Sequence, residues 1–74
     1  MKRDKIEIAT AFIKLDSFLK FAGVADTGGG AKAMVLDGQV LVDGEVCLMR
    51  GKKLYPGMVV RVDEQEYEVV QACG

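Results

Sequence analysis

The spacing of apolar residues changes twice along the chain, and each change marks a kind of element. Over Lys5–Ile8 polar and apolar residues alternate, the two-residue period of a strand. From Asp16 the period lengthens. Leu15, Phe18, Leu19 and Ala22 recur at three- and four-residue spacing, the apolar stripe of a short helix. Asp16 suits the positive end of that helix, and Gly23 supplies its stop. After the turn Val24–Thr27, a second helical pattern runs from about Gly29 to Asp37, with Ala31, Met34 and Val35 on one side. Lys32 projects elsewhere, and Gly38 ends the pattern.

Beyond Gln39 the period returns to strands. Val40–Val42 is β-branched and meets Asp43-Gly44, a strong hairpin signal, so Glu45–Met49 is the expected return strand. Arg50–Lys53 is a basic connection, and Tyr55-Pro56-Gly57 is a turn. Met58–Val62 and Tyr67–Val70 read as strands around a turn at Asp63–Gln65. The order β-α-α-β-β-β-β predicts an α+β fold: two short helices, paired in a helix-turn-helix-like way, packed on a small, mostly antiparallel sheet. Phe12, Phe18 and Phe21 are expected in the core; Tyr55 and Tyr67 stay open.

The 74 residues are expected to form one domain over 1–74, near the lower limit for a single hydrophobic core. That size has no room for both a substrate cavity and a cofactor domain, which favours a binding module over an enzyme. No apolar run reaches signal-peptide or bilayer-spanning length, so a soluble, cytoplasmic protein is expected. Cys47 and Cys73 lack a metal spacing and the chain has no histidine, so no metal site is expected. Cys47 reads as a small core residue, and a reduced pair is expected over a disulfide.

Net charge is −1, which by itself argues against nucleic acid. Its distribution changes that picture. Arg50, Lys52 and Lys53 cluster, Lys14, Lys20 and Lys32 lie in the first half, and Asp63, Glu64, Glu66 and Glu68 gather at the far end. A surface segregated this way attracts phosphate on one side despite an acidic total.

The stretch Thr27–Ala33, TGGGAKA, is the strongest candidate for anion chemistry. Gly28-x-Gly30-x-x-Ala33 satisfies a dinucleotide fingerprint on paper, but a helical pattern precedes it where a buried strand is required. The acidic ribose ligand would fall in the basic Arg50–Lys53 stretch. A phosphate-loop motif fails as well, because Lys32 follows alanine and Gly51-Lys52 is followed by lysine. Two readings remain. Glycines at a helix start leave backbone N–H groups open to an anion, reinforced by Lys32, or they merely supply a flexible turn. Arg50–Lys53 is likewise either a solvated hairpin or a second phosphate contact. No catalytic set is visible: Ser17 has no base partner and the carboxylates are scattered.

Residues 13–62, IKLDSFLKFAGVADTGGGAKAMVLDGQVLVDGEVCLMRGKKLYPGMVVRV, resemble the small RNA-binding domain named after ribosomal small-subunit protein four. Within it they are most similar to the stand-alone bacterial YaaA/YbcJ-type group. The carriers are the IKLDSFLK opening, the GG-x-AK turn into the second helix, the G-x-V-x-V-x-G strand and turn, and RGKKL-x-PG. The resemblance implies the alpha-L RNA-binding motif, in which the helices and an adjacent strand–loop region bind structured RNA. Carried over by position, it implies a site of Lys14, Thr27, Gly28, Gly29, Lys32, Arg50, Lys52 and Lys53. Structured RNA, ribosomal or transfer, is the implied partner of a ribosome-associated monomer. No cofactor, membrane or small-molecule substrate is implied, and no catalysis.

Four positions depart from the family pattern. Asp43 stands where asparagine is usual, Met49 where a second arginine is common, Gly30 where glutamate is common, and Met58 where aspartate often follows Gly57. Asp43 adds an anion near the expected surface and Met49 removes a cation, so both are expected to weaken phosphate binding. Together with the acidic balance they motivate the alternative, a protein-interaction module that keeps the fold with weak or no RNA binding.

Overall fold

Residues 2–72 are described by a computed structural model of the chain. In chain order the elements are β1 (Lys2–Ile8), β2 (Ile13–Lys14), α1 (Leu15–Phe21), α2 (Gly28–Leu36), β3 (Val40–Val42), β4 (Glu45–Val46), β5 (Lys53–Leu54), β6 (Val59–Val62) and β7 (Gln65–Gln71). Five strands form one sheet in the order β1-β7-β6-β3-β4, and β2 pairs with β5 in a separate ladder. The β1–β7 pair is parallel; the other pairs are antiparallel. The expected α+β architecture of two helices on a mostly antiparallel sheet is what the chain adopts.

Alternation decides which side of the sheet the helices cover. Val40 and Val42 of β3, Val60 and Val62 of β6 and Val69 of β7 are buried. The register sets Val40 against Val62 and Val42 against Val60, so these side chains share one face. Leu15, Phe18 and Leu19 of α1 and Ala31 and Val35 of α2 pack on that face, with Ile8 and Leu54 completing a single core. Each fully buried Leu, Val or Phe contributes roughly 1.5–3 kcal/mol before the entropy of ordering it is set against the gain.

The opposite face carries charge. Glu66 of β7 lies between Arg3 and Arg61 in register, and Lys5 lies opposite Glu68. The Arg3 guanidinium meets Glu66 at 3.2 Å and Glu68 at 3.9 Å. Two carboxylates of the acidic cluster therefore share one guanidinium on the sheet, away from the helices.

The turns follow their residues. Asp43 and Gly44 have φ of 52° and 88°, the doubly left-handed turn that matches strand twist and that Asp-Gly adopts cheaply. At the second turn Met58 N–H donates to the Tyr55 carbonyl at 3.1 Å. Gly57 there has φ of 100°, as a turn with Pro56 ahead of it requires.

Three features differ from the pattern reading. The return strand expected over Glu45–Met49 stops at Val46, because the chain turns there to deliver the carbonyls of Arg50 and Lys52 to α1. The β2–β5 ladder was not expected from the pattern. The last strand extends over Gln65–Gln71 because β1 gives its outer edge a parallel partner. Cys47 is half-buried against the core, and the question of its pairing with Cys73 lies outside the described residues. Among the described residues no helix is long and apolar enough to cross a membrane.

Candidate nucleic-acid interface

The first turn of any helix leaves backbone N–H groups without intrahelical partners. In α1 the cap residue Lys14 makes no side-chain cap bond, and the one first-turn amide that a side chain takes among the described residues is Ser17 N–H, which donates to Asp16 Oδ1 at 2.8 Å. The two amides before it go to the loop backbone: Leu15 N–H donates to the Lys52 carbonyl at 2.9 Å and Asp16 N–H to the Arg50 carbonyl at 3.0 Å. The basic connection is thereby laid across the start of α1. Next to it, Lys14 is the direct partner of Lys53 in the β2–β5 ladder. Four of the expected site residues, Lys14, Arg50, Lys52 and Lys53, thus come together at one end of α1.

Two lysines opposite each other on a ladder repel. Part of that cost is offset where the Lys53 ammonium sits 4.9 Å from the centre of the Phe12 ring, a cation–π contact. Phe12 in turn packs against Tyr55 at 5.9 Å between ring centres. An anion between the two ammonium groups would relieve the rest of the repulsion.

The remaining expected residues meet at the start of α2. The Thr27 hydroxyl accepts the Gly30 N–H at 3.0 Å, and the Thr27 carbonyl accepts the Ala31 N–H at 3.0 Å. The amides of Gly28 and Gly29 have no partner among the described residues. The approach to them is clear: a Cβ on Gly28 would meet nothing within 4 Å, and one on Gly29 only the Thr27 hydroxyl oxygen at 3.9 Å. With exposed Lys32 one turn in, this end of α2 has the makings of an anion site. Gly30 itself adds no free amide, since Thr27 already occupies it.

The two groups do not merge. Val24 and Ala25 N–H both donate to the Leu19 carbonyl, at 2.9 and 3.1 Å, which folds the link back on the last turn of α1. A Cβ on Gly30 would lie 4.0 Å from that of Ala25, so α2 begins against this end. The lysine-rich group lies at the other end of α1, whose seven residues rise about 10 Å.

Charge pairing separates this side of the molecule from the outer sheet face. Ion pairs among the described residues join Arg3 to Glu66 and Glu68. Lys14, Lys20, Lys32, Arg50, Lys52 and Lys53 have no acidic partner within 4.0 Å among those residues. Nor do three or more His, Cys, Asp or Glu side chains gather there as a metal site would need.

The family model for the S4 domain matches residues 6–70. The chain belongs to the S4 domain family. It is similar to the probable ribosome maturation protein RlbA of Bacillus subtilis (strain 168), with 45% identity over 58 residues, 78% of this chain and 82% of that protein. Its fold is similar to the solution structure of YbcJ from E. coli, described as revealing an alpha-L motif involved in RNA-binding. That likeness has a TM-score of 0.66 and 28% identity, covering 92% of this chain and 85% of the other.

Within this S4 domain, side chains that departed from expectation have physical reasons. Phe21, expected in the core, is 61% exposed. It lies roughly 240° around the helix from Leu15, about 60° beyond Phe18 and outside the stripe that Leu15, Phe18 and Leu19 form. Phe12, also expected in the core, is only half-buried and serves as the seat of Lys53. Asp43 is held in its turn: its Oδ1 accepts Val59 N–H at 3.0 Å, and its own N–H donates to the Val59 carbonyl at 2.8 Å. Met49, where the family often has arginine, is 68% exposed.

Proposed function

We propose that this S4 domain binds structured RNA, with ribosomal RNA or its precursors as the favoured target, and carries out no catalysis of its own. The reading is supported above all by the cations flanking α1, which have no carboxylate partner within 4.0 Å among the described residues, while Glu66 and Glu68 of β7 pair with Arg3 on the opposite face of the sheet. Lys14, Arg50, Lys52 and Lys53 hold phosphates at one end of α1. The Gly28 and Gly29 amides, shaped by Thr27 and joined by Lys32, hold another at the other end. The protein acts as a cytoplasmic monomer. Its similarity to a probable ribosome maturation protein and to a structure with an RNA-binding motif supports the same reading.

Titration of a fluorescently labelled ribosomal-RNA fragment by anisotropy tests it. Replacing Lys52→Glu and Lys53→Glu together should weaken binding strongly while circular dichroism stays unchanged. Unaltered affinity removes the loop from the interface. A second reading, a protein-interaction module, is favoured by one observation: Val46, Leu48 and Met49 at the β4 edge are all more than half exposed. Protein that purifies free of nucleic acid and fails to bind RNA at low salt would support that second reading.

A further inference from the structure

Phosphate binding at the two ends of α1 leaves its outer face unexplained. At 100° per residue, Ser17, Lys20 and Phe21 fall within one arc of about 100°, away from Leu15 and Leu19 and bordered on the Phe21 side by Phe18. With Ile13 they line an open depression of about 410 Å³. Single exposed apolar residues are ordinary on protein surfaces. The neighbourhood of Phe21 is not ordinary, because an aromatic, a lysine and a serine line one concavity. That concavity also lies between the two cation groups. Lys14 directly follows Ile13 at one end, and α2 begins against the last turn of α1 at the other.

We infer that this depression receives an unstacked nucleobase of the bound RNA, which stacks on Phe21 while Lys20 and Ser17 meet its sugar and phosphate. The inference rests on the RNA-binding reading and adds the kind of RNA. A strand whose phosphates are held at both ends of α1 must pass its intervening nucleotide over this face. In an uninterrupted duplex that base is stacked inside the helix and unavailable, and side chains read A-form RNA poorly. A bulge, loop or frayed end offers a free π-face, and stacking on an aromatic side chain tolerates any base. The chain is therefore selective for RNA with an unpaired nucleotide, without being selective for its identity.

Two hairpin RNAs of equal length test this, one fully paired and one with a single bulged nucleotide that is a fluorescent purine analogue. Each is titrated with the intact protein and with the Phe21→Ala and Phe21→Trp variants; the side chain is exposed, so its loss spares the core. The intact protein should prefer the bulged RNA by about five- to a hundredfold, the range that one stacked base supports. Its binding should quench the analogue. Phe21→Ala should keep the affinity for the paired RNA and lose both the preference and the quenching, and Phe21→Trp should restore both. Equal binding of the two RNAs by the intact protein overturns the inference and leaves RNA binding standing. A preference that survives Phe21→Ala overturns it too, as does a Phe21-dependent dimer in sedimentation with the RNA preference unchanged. Failure to bind either RNA at low salt overturns the RNA-binding reading and the inference together.

Discussion

Replacing Gly28 and Gly29 together by alanine should make the domain more stable and a poorer RNA binder. Both glycines are helical residues at the start of α2, and neither has positive φ. Added Cβ atoms meet no steric obstacle beyond one ordinary contact at 3.9 Å. Gly30 is left alone, because a Cβ there would press to 3.4 Å on the Thr27 hydroxyl oxygen that caps the helix. Alanine at an unstrained glycine position stabilises by about 0.4–1 kcal/mol, mainly by restricting the unfolded chain. Two such changes therefore contribute about 0.8–2 kcal/mol, which raises Tm by roughly 3–16 °C in a domain this small.

The same methyl groups narrow the approach to the two open amides. A hydrogen bond from an amide to a charged phosphate contributes about 1.5–3 kcal/mol, so losing one weakens binding roughly ten- to a hundredfold. Thermal unfolding by circular dichroism and anisotropy titration with one structured RNA read the two effects separately. A higher Tm with unchanged affinity would refute the amide contact. A lower Tm would refute the placement of these glycines in an unstrained helix.

Thr27→Ala should lower stability by about 0.5–2 kcal/mol in urea unfolding, because it deletes the acceptor of the Gly30 N–H, whereas Thr27→Ser should retain most of it. Asp43→Asn should leave stability within about 0.5 kcal/mol, since asparagine keeps both the acceptor for Val59 N–H and tolerance of positive φ. It should also tighten RNA binding about two- to fivefold at low salt by removing a surface anion. Asp43→Ala removes the acceptor of the exposed Val59 amide and should cost about 0.5–1.5 kcal/mol, read by the same unfolding measurement.

Elements whose information is local were legible in the residues. The stripe Leu15, Phe18, Leu19 marked α1, and Asp43-Gly44 marked the hairpin between β3 and β4. The Thr27–Lys32 stretch stands at a helix start as its composition suggested. What was not legible depends on partners distant in sequence. Ile13–Lys14 and Lys53–Leu54 are too short to show a period, and each is a strand only because the other is beside it. The parallel β1–β7 pairing, which lengthens the last strand, joins opposite ends of the described chain. Phe21 was assigned inward from its chemistry alone, although it falls just outside the stripe of Leu15, Phe18 and Leu19 and is exposed. The gathering of Lys14 with Arg50–Lys53 had no spacing signal either. It arises from Leu15 and Asp16 taking their caps from the loop backbone.

The salt dependence of binding to a structured RNA tests the central claim most directly. Apart from Lys20 beside the stacked nucleotide, Lys14, Lys32, Arg50, Lys52 and Lys53 are the cations assigned to phosphates at the two ends of α1, and each neutralised phosphate contributes about −0.7 to −0.9 to the slope of log K against log salt. Electrostatic docking through this face therefore predicts a slope of roughly −3.5 to −4.5, falling in magnitude by about 1.4–1.8 when Lys52 and Lys53 are both changed to alanine. A slope near zero, or one that the double change leaves untouched, would contradict it.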